Sequence, residues 1–260
     1  MERICRDVVL CKGEKGLTEG QDSYATAFEG AGYSCQVLTA ISFSFVNTQK
    51  LRDCLETPES YSGLILTSQR AVEAIKKSIS ENPLKTLWKE LPVYCVGPAT
   101  ENLVRNTLDL PNCMGSESGN AQELAKFIIS HHNRDNKSLL YPCSGIARET
   151  IQRMLEEAEI SVEKITAYET RPSETLENDL LDIMKVSPQI AVFFSPSTAK
   201  NVMAIAGKHN LIARIKAVAI GPVTAEALKE LGLRIYATAA KPDSQALLKS
   251  IEEAQIEISS

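Results

Sequence analysis

The chain has 260 residues, 43% of them hydrophobic and 23% charged, and a formal net charge of −5. That is the composition of an ordinary globular protein, long enough for one large domain or two of common size. The negative balance argues against a dedicated nucleic-acid binder, and it requires any acidic ligand to be held by local donors rather than by the overall field.

The opening residues, MERICRDVVLC, carry charges at Glu2, Arg3, Arg6 and Asp7 and no long apolar core, so they read neither as a signal peptide nor as a mitochondrial presequence. No apolar run approaches the ~20 residues of a membrane span, and the expected location is the cytoplasm. The pattern predicts a strand over 8–11, a charged loop over 12–21, and a helix over 24–31 capped by Asp22 or Ser23 and ended by Gly32. A second strand over 35–41 continues through 43–45, and 51–55 is a helical turn. Residues 64–66 form a strand, and Ala71, Val72, Ile75 and Ile79 fall at helical spacing over 69–79, before Asn82-Pro83.

A strand over 92–96 and a helix over 100–108 come next, then the turn cluster SESGN and a helix over 121–129. Residues 138–141 read as a strand ending at Pro142-Cys143-Ser144-Gly145, 148–158 as a helix, and 162–168 as a strand followed by a break at Arg171-Pro172. The rest alternates: helix 176–184, strand 190–194, helix 198–206, strand 217–220, helix 224–231 closed by Gly232, strand 234–237, and helix 244–253 capped by Asp243 or Ser244. Such alternation predicts an α/β fold of doubly wound parallel sheets covered by helices on both faces.

Two segments echo each other, VYCVGPATENL and AVAIGPVTAEAL: an apolar strand, a Gly-Pro break and a threonine opening a helix. Each follows a strand that ends in hydroxyls, LILTSQR and AVFFSPS. Each echoing unit is itself preceded by a strand–loop–helix–strand segment, U1 over 8–41 and U2 over 138–168; with the echoing units as V1 and V2, the order is U1, V1, U2, V2. That order fits two consecutive domains divided near 131–136. The consecutive split is the plainer reading of the residues; the other arrangement is nested, with V1 and U2 inserted between U1 and V2.

Ligands of doubly wound sheets bind beyond the C-terminal ends of the strands. That rule selects Thr67, Ser68, Arg70, Gly97, Thr100, Ser144, Gly145, Ser195, Ser197, Gly221 and Thr224. Hydroxyls and free amides without histidine suit the gripping of anions rather than hydrolysis, although each hydroxyl alone also fits a plain helix cap. Tyr168 closes a strand at a candidate domain crossing, where it fits either a packing or a functional role. The seven cysteines include no CxxC pair, and the three histidines are His131, His132 and His209, so neither a metal site nor thiol chemistry is expected. GxGxxG, GxxxxGK[ST] and GxSxG are all absent from the sequence.

The ordered set YSGLILTSQRAVEAI, VYCVGPAT, GNAQELA, LLYPCSGIARE, ITAYET, FFSPS and IKAVAIGPVTAEAL resembles the uroporphyrinogen-III synthase family over most of the chain. The resemblance implies two flavodoxin-like domains joined by a two-stranded linker in the nested arrangement, 1–40 with 172–260 and an inserted 43–166, with crossings near 39–43 and 166–172. It implies cyclisation of a linear hydroxymethylbilane, with loss of water and inversion of the last pyrrole ring, and no cofactor or metal.

Carried over by motif, Tyr168 hydrogen-bonds the departing hydroxyl as a weak general acid, and Thr100 and Thr224 hold substrate carboxylates with neighbouring amides. Ser68, Arg70, Ser195, Ser197 and Lys216 add donors. Two positions depart from the family pattern: Gln69 stands where proline is frequent, and Val223 replaces a second threonine, leaving only its backbone N–H. The implied partner is an acidic tetrapyrrole bound by a monomer, with no nucleic acid or membrane and at most transient contact with the enzyme that makes the bilane. A non-catalytic two-domain binder of a small anion would use the same donors. A glycosyltransferase would need a sugar-nucleotide anchor that the sequence lacks.

Overall fold

Strands apolar at every position, such as VVLC and LIL, are satisfied on both faces only inside a helix-covered sheet. The computed structural model describes residues 6–16, 20, 22–79, 83–133, 137–147, 149–185 and 189–259. In chain order its first elements are β1 (Asp7–Gly13), α1 (Ser23–Gly30), β2 (Ser34–Phe45), α2 (Thr48–Leu55), β3 (Tyr61–Leu66), α3 (Gln69–Ile79), α4 (Leu87–Glu90), β4 (Val93–Cys95), α5 (Pro98–Leu103), β5 (Cys113–Met114) and α6 (Ala121–His131). There follow β6 (Ser138–Ser144), α7 (Thr150–Glu157), β7 (Val162–Pro172), α8 (Leu176–Ile183), β8 (Gln189–Phe193), α9 (Pro196–Lys208), β9 (Ile215–Ala219), α10 (Pro222–Glu230), β10 (Ile235–Thr238) and α11 (Ser244–Ser259).

The chain divides into two compact units. Of the described residues, the first takes 6–15, 20, 22–42 and those from Arg171 onward, and the second takes Gly16 and the described residues between Phe43 and Thr170. The passages fall inside β2 and β7.

In the first unit the strands lie parallel in the order β10-β9-β8-β1-β2. Counted along its own chain this is the flavodoxin-like order, with the first strand between the second and third. Alternation sends Val8, Leu10, Ile190 and Val192 to one face, against Phe28 of α1 and Leu247 and Ile251 of α11. It sends Val9, Cys11, Ala191 and Phe193 to the other, against Leu180 of α8, Val202 of α9 and Leu228 of α10.

The second unit has the order β7-β6-β3-β4-β5, also parallel. Here β6 and β7 come last along the chain but occupy the places that β1 and β2 hold in the first unit. The two units therefore share one strand order, with the second circularly permuted. Leu64, Leu66, Val93 and Cys95 pack with α2, α3 and Trp88, while Ile65, Tyr94, Leu139 and Tyr141 pack with α6 and α7. The spacing of α3 is used as expected: Ala71, Val72 and Ile75 are wholly buried, and truncating Ile75 to alanine would cost about 2–5 kcal/mol.

The parallel α/β expectation holds, and the departures gather at prolines and at very short elements. β6 runs on through Pro142 instead of ending at Tyr141. Its register with β3 stops at Leu140 while that with β7 continues to Ser144, so Pro142 sits where only one neighbour remains and a missing N–H is tolerated. β7 likewise passes the expected break at Arg171 and ends on Pro172, a strand-end position that demands no ladder bond. α5 starts at Pro98, a favoured first-turn residue, and yields to a wider π-type turn over Val104–Leu108 rather than running as one helix. α4 and β5 span too few residues to show a period. Among the described residues no helix is long and apolar enough to cross a membrane.

Candidate active site

A doubly wound sheet opens a crevice where successive crossovers leave in opposite directions. In the second unit that point lies between β3 and β6, at Thr67, Ser68, Ser144 and Gly145. A register shift between Cys143 and Ser144 sets Ser144 opposite Tyr168 on β7, and the Gly145 N–H donates to the Tyr168 carbonyl at 3.0 Å. The Tyr168 phenol is 8% exposed and shares a 2.8 Å hydrogen bond with Ser68 Oγ. Ser68 Oγ also accepts from the Ala71 N–H at 3.2 Å, so one hydroxyl both caps α3 and holds the phenol.

Burial pushes the Tyr168 pKa up, aided by Cys143, while the Ser68 hydroxyl, the Arg70 charge and Ser144 pull it down; it stays above the usual tyrosine value. Thr67 Oγ1 pairs with Tyr141 OH at 3.4 Å, and burial pushes that second phenol up to about 12.

Arg70 enters the same group from the first turn of α3. Its Nη1 donates to Glu73 Oε2 at 2.7 Å, and its guanidinium carbon lies 4.3 Å from the centre of the Phe43 ring. Phe43 in turn meets Tyr168 edge-on, with ring centres 6.2 Å apart. Thr67, Ser68, Arg70, Ser144, Gly145 and Tyr168 are thus brought together. Gly97 stands one strand further out, beyond β4, in the left-handed region at φ 79 and ψ 146 that favours glycine. Its N–H is taken by the Ser116 carbonyl, and Thr100 is 5% exposed, so what this turn offers is main chain rather than the threonine hydroxyl.

The first unit places its donors at two helix starts. Ser195 caps α9 in a reciprocal box: Ser195 Oγ accepts from Thr198 N, and Thr198 Oγ1 accepts from Ser195 N, each at 3.2 Å. Its hydroxyl is therefore engaged, whereas Ser197 is exposed in the first turn. α10 follows Gly221, which has no side chain to cap it, and starts at Pro222, which has no N–H. The first-turn amides of Val223 and Thr224 have no partner inside the helix. Val223 is 73% exposed and Thr224 4%, so the amides lie beside an exposed apolar side chain.

Lys216 is not brought to this turn. It is the second residue of β9, with its ammonium 5.2 Å from the Tyr236 ring centre. Four residue steps, about 13 Å of extended chain, separate it from Ile220.

Three residues in these groups escaped sequence reasoning. Lys12, near the end of β1, pairs with Asp22 Oδ2 at 2.6 Å and lies 4.5 and 4.2 Å from the ring centres of Tyr24 and Phe194. Burial pushes Asp22 up, but Lys12 and the Tyr24 and Ala25 amides bring it below the usual carboxylate range. A lysine directly after four apolar strand residues was the available signal. Glu73 and Phe43 carried none, because their significance depends on contact with Arg70 and Tyr168. Among the described residues no group of three or more His, Cys, Asp or Glu is placed to hold a metal ion. Burial pushes the Cys143 thiol up to about 11, keeping it protonated beside the site.

The family model described as uroporphyrinogen-III synthase HemD matches residues 22–249. A uroporphyrinogen-III synthase of Schizosaccharomyces pombe is 29% identical over 88% of this chain and 91% of its own length. The corresponding protein of Saccharomyces cerevisiae is 30% identical over 78% of this chain and 82% of its own. Among solved structures, uroporphyrinogen-III synthetase from Helicobacter pylori superposes with a TM-score of 0.65 at 19% identity, over 94% of this chain and 97% of that one. A mutant uroporphyrinogen III synthase from Thermus thermophilus gives 0.56 at 16% identity, over 96% and 99%. These two show the likeness of fold; the family model and the yeast relatives show the kinship, and the chain belongs to the uroporphyrinogen-III synthase family, lyases of porphyrin biosynthesis.

Proposed function

We propose that this chain closes a linear hydroxymethylbilane into uroporphyrinogen III and that Tyr168 is the acid at the departing hydroxyl. One observation carries the reading: a buried phenol at the end of its strand, hydrogen-bonded to Ser68 and held above the ordinary tyrosine pKa. Such a group keeps its proton at neutral pH and can give it to a leaving hydroxyl. Water departs and leaves an electrophilic azafulvene. The substituted carbon of the last ring attacks it, and the resulting spiro intermediate fragments and recloses with that ring inverted. Closure without inversion is spontaneous, so the protein's contribution is to position the last ring and exclude the direct closure.

The bilane carries eight carboxylates, whereas the chain has a net charge of −5, so local donors must hold the substrate. On the first unit we assign that role to the Val223 and Thr224 amides and the Ser197 hydroxyl; on the second, to the main chain of the Gly97–Thr100 turn. Thr100 and Thr224 then act through their amides, because both side chains are buried. Ser195, engaged as a cap, and Lys216, at the far end of its strand, stay outside the assignment. We read 1–40 with 172–260, and 43–166, as the two domains of a cytoplasmic monomer. Support for the domains comes from the clustering of contacts, and for the compartment from the free thiols of Cys11, Cys35, Cys54, Cys95, Cys113 and Cys143.

The test is to supply freshly made hydroxymethylbilane and separate the products by isomer. Type III product in excess of the spontaneous type I supports the reading. Type I alone, at the spontaneous rate, ends it.

A further inference from the structure

We propose that Glu73 is a positioning residue for this reaction: its buried carboxylate fixes the Arg70 guanidinium beside Tyr168, where that charge steadies the phenolate oxygen left by proton transfer. The inference rests on the reading of Tyr168 as the acid at the departing hydroxyl.

Glu73 sits one turn after Arg70 on α3 and is 5% exposed. Glutamate is rarely buried so deeply unless it is paired, and here its Oε2 lies 2.7 Å from Arg70 Nη1. Stability does not account for such a pair, because removing two charges from water offsets most of their attraction and an apolar pair of similar volume often serves as well. Geometry does account for it. Arg70 follows Ser68 by two residues, and Ser68 holds the Tyr168 phenol at 2.8 Å. The guanidinium is clamped between the Glu73 carboxylate and the Phe43 face, at 2.7 and 4.3 Å, and Phe43 packs edge-on against Tyr168. A planar guanidinium stacks on a ring and pairs with a carboxylate at once, which an ammonium does not.

The charge acts where the reaction needs it. Burial pushes the Tyr168 pKa up, and Arg70 is among the groups that oppose the push. When the Tyr168 O–H bond breaks, its proton joins the departing hydroxyl, the C–O bond breaks and water leaves. The phenolate then faces Arg70 until the macrocycle returns a proton from the pyrrole carbon that forms the last bond. A loosened guanidinium would stabilise that short-lived anion less and would leave substrate binding largely as it was.

The experiment uses the full chain and hydroxymethylbilane, with Glu73→Gln, Arg70→Lys and the double variant. In Glu73→Gln, kcat for type III product should fall about tenfold with KM within about twofold. In the substrate-free protein, the Arg70 Nε–Hε NMR signal should change from ordered to mobile. Arg70→Lys keeps the charge but loses the fork, so its kcat should fall by a similar factor. The double variant should fall little further, because the two residues act through one contact. Full kcat in folded Glu73→Gln, an Arg70 signal as ordered as in the wild type, or multiplying losses in the double variant would each overturn the proposal. If Glu73→Gln folds poorly, Arg70→Lys decides alone, and full kcat there is also fatal. Failure of the wild type to form type III product is a separate result, since it removes the reading of the reaction itself.

Discussion

Replacing Tyr168 by phenylalanine removes one oxygen and leaves the ring in place. The phenol shares its 2.8 Å bond with Ser68, and Ser68 keeps its own bond from the Ala71 amide after the change. No buried donor is stranded, so the loss of stability should be that of one net hydrogen bond, about 1 kcal/mol. For a chain of this size that lowers Tm by roughly 2–4 °C. The catalytic loss should be far larger, about 10²–10⁴-fold, the contribution of a positioned general acid.

The assay is the initial rate of type III formation from fresh hydroxymethylbilane, with spontaneous type I closure in the same vessel as an internal clock. The pH profile supplies the sign. The protonated phenol is the competent form and its pKa is raised by burial, so the wild-type rate should persist past the ordinary tyrosine value of ~10 and fall only above it. That limb should vanish in Tyr168→Phe. Near-normal type III turnover, or an activity loss no larger than the loss of folded protein, would refute the assignment.

Val223→Asp places a carboxylate beside the uncapped amides of α10. At 73% exposure the side chain disturbs no packing, and acid near a helix start should stabilise by about 0.3–1 kcal/mol. KM for the bilane should nevertheless rise about tenfold, as ~1.4 kcal/mol of carboxylate binding is lost; an unchanged KM would remove this helix start from the substrate site. Ser195→Ala breaks the capping box of α9 and should cost about 1 kcal/mol in thermal or denaturant unfolding. Its kcat/KM should stay within about twofold of the wild type, because that hydroxyl serves the helix. Lys216→Ala should likewise leave type III formation almost unchanged, since the lysine starts β9 rather than ending it; a tenfold loss would show that strand position misjudges the reach of the side chain.

Much of the site could be read from local chemistry. Thr67, Ser68, Ser144 and Gly145 follow apolar strands, and the rule that doubly wound sheets bind ligands at strand ends selected them before any contact was known. The rule failed to say what each hydroxyl does. Ser68 and Ser195 look alike in sequence, yet Ser68 caps α3 and also holds a phenol, whereas Ser195 is occupied by its own helix. Thr100 and Thr224 looked like hydroxyl grips and turn out to be buried. The group of Phe43, Arg70, Glu73 and Tyr168 was illegible in a further way, because it joins β2, α3 and β7 through side chains distant in the chain.

The alternation of apolar strands with amphipathic helices is written in the residues themselves. Side-chain period and local turn chemistry set it, so the α/β class and the positions of most elements follow without any long-range information. Strand order is a different kind of property. The segment order U1, V1, U2, V2 reads most plainly as consecutive domains, yet it does not say which U pairs with which V, because every parallel strand presents the same backbone donors and acceptors to any neighbour. What selects β1 beside β8, and β6 beside β3, is the simultaneous burial of both faces of each strand under particular helices. That choice creates the crevice between β3 and β6 and brings Ser68 to Tyr168.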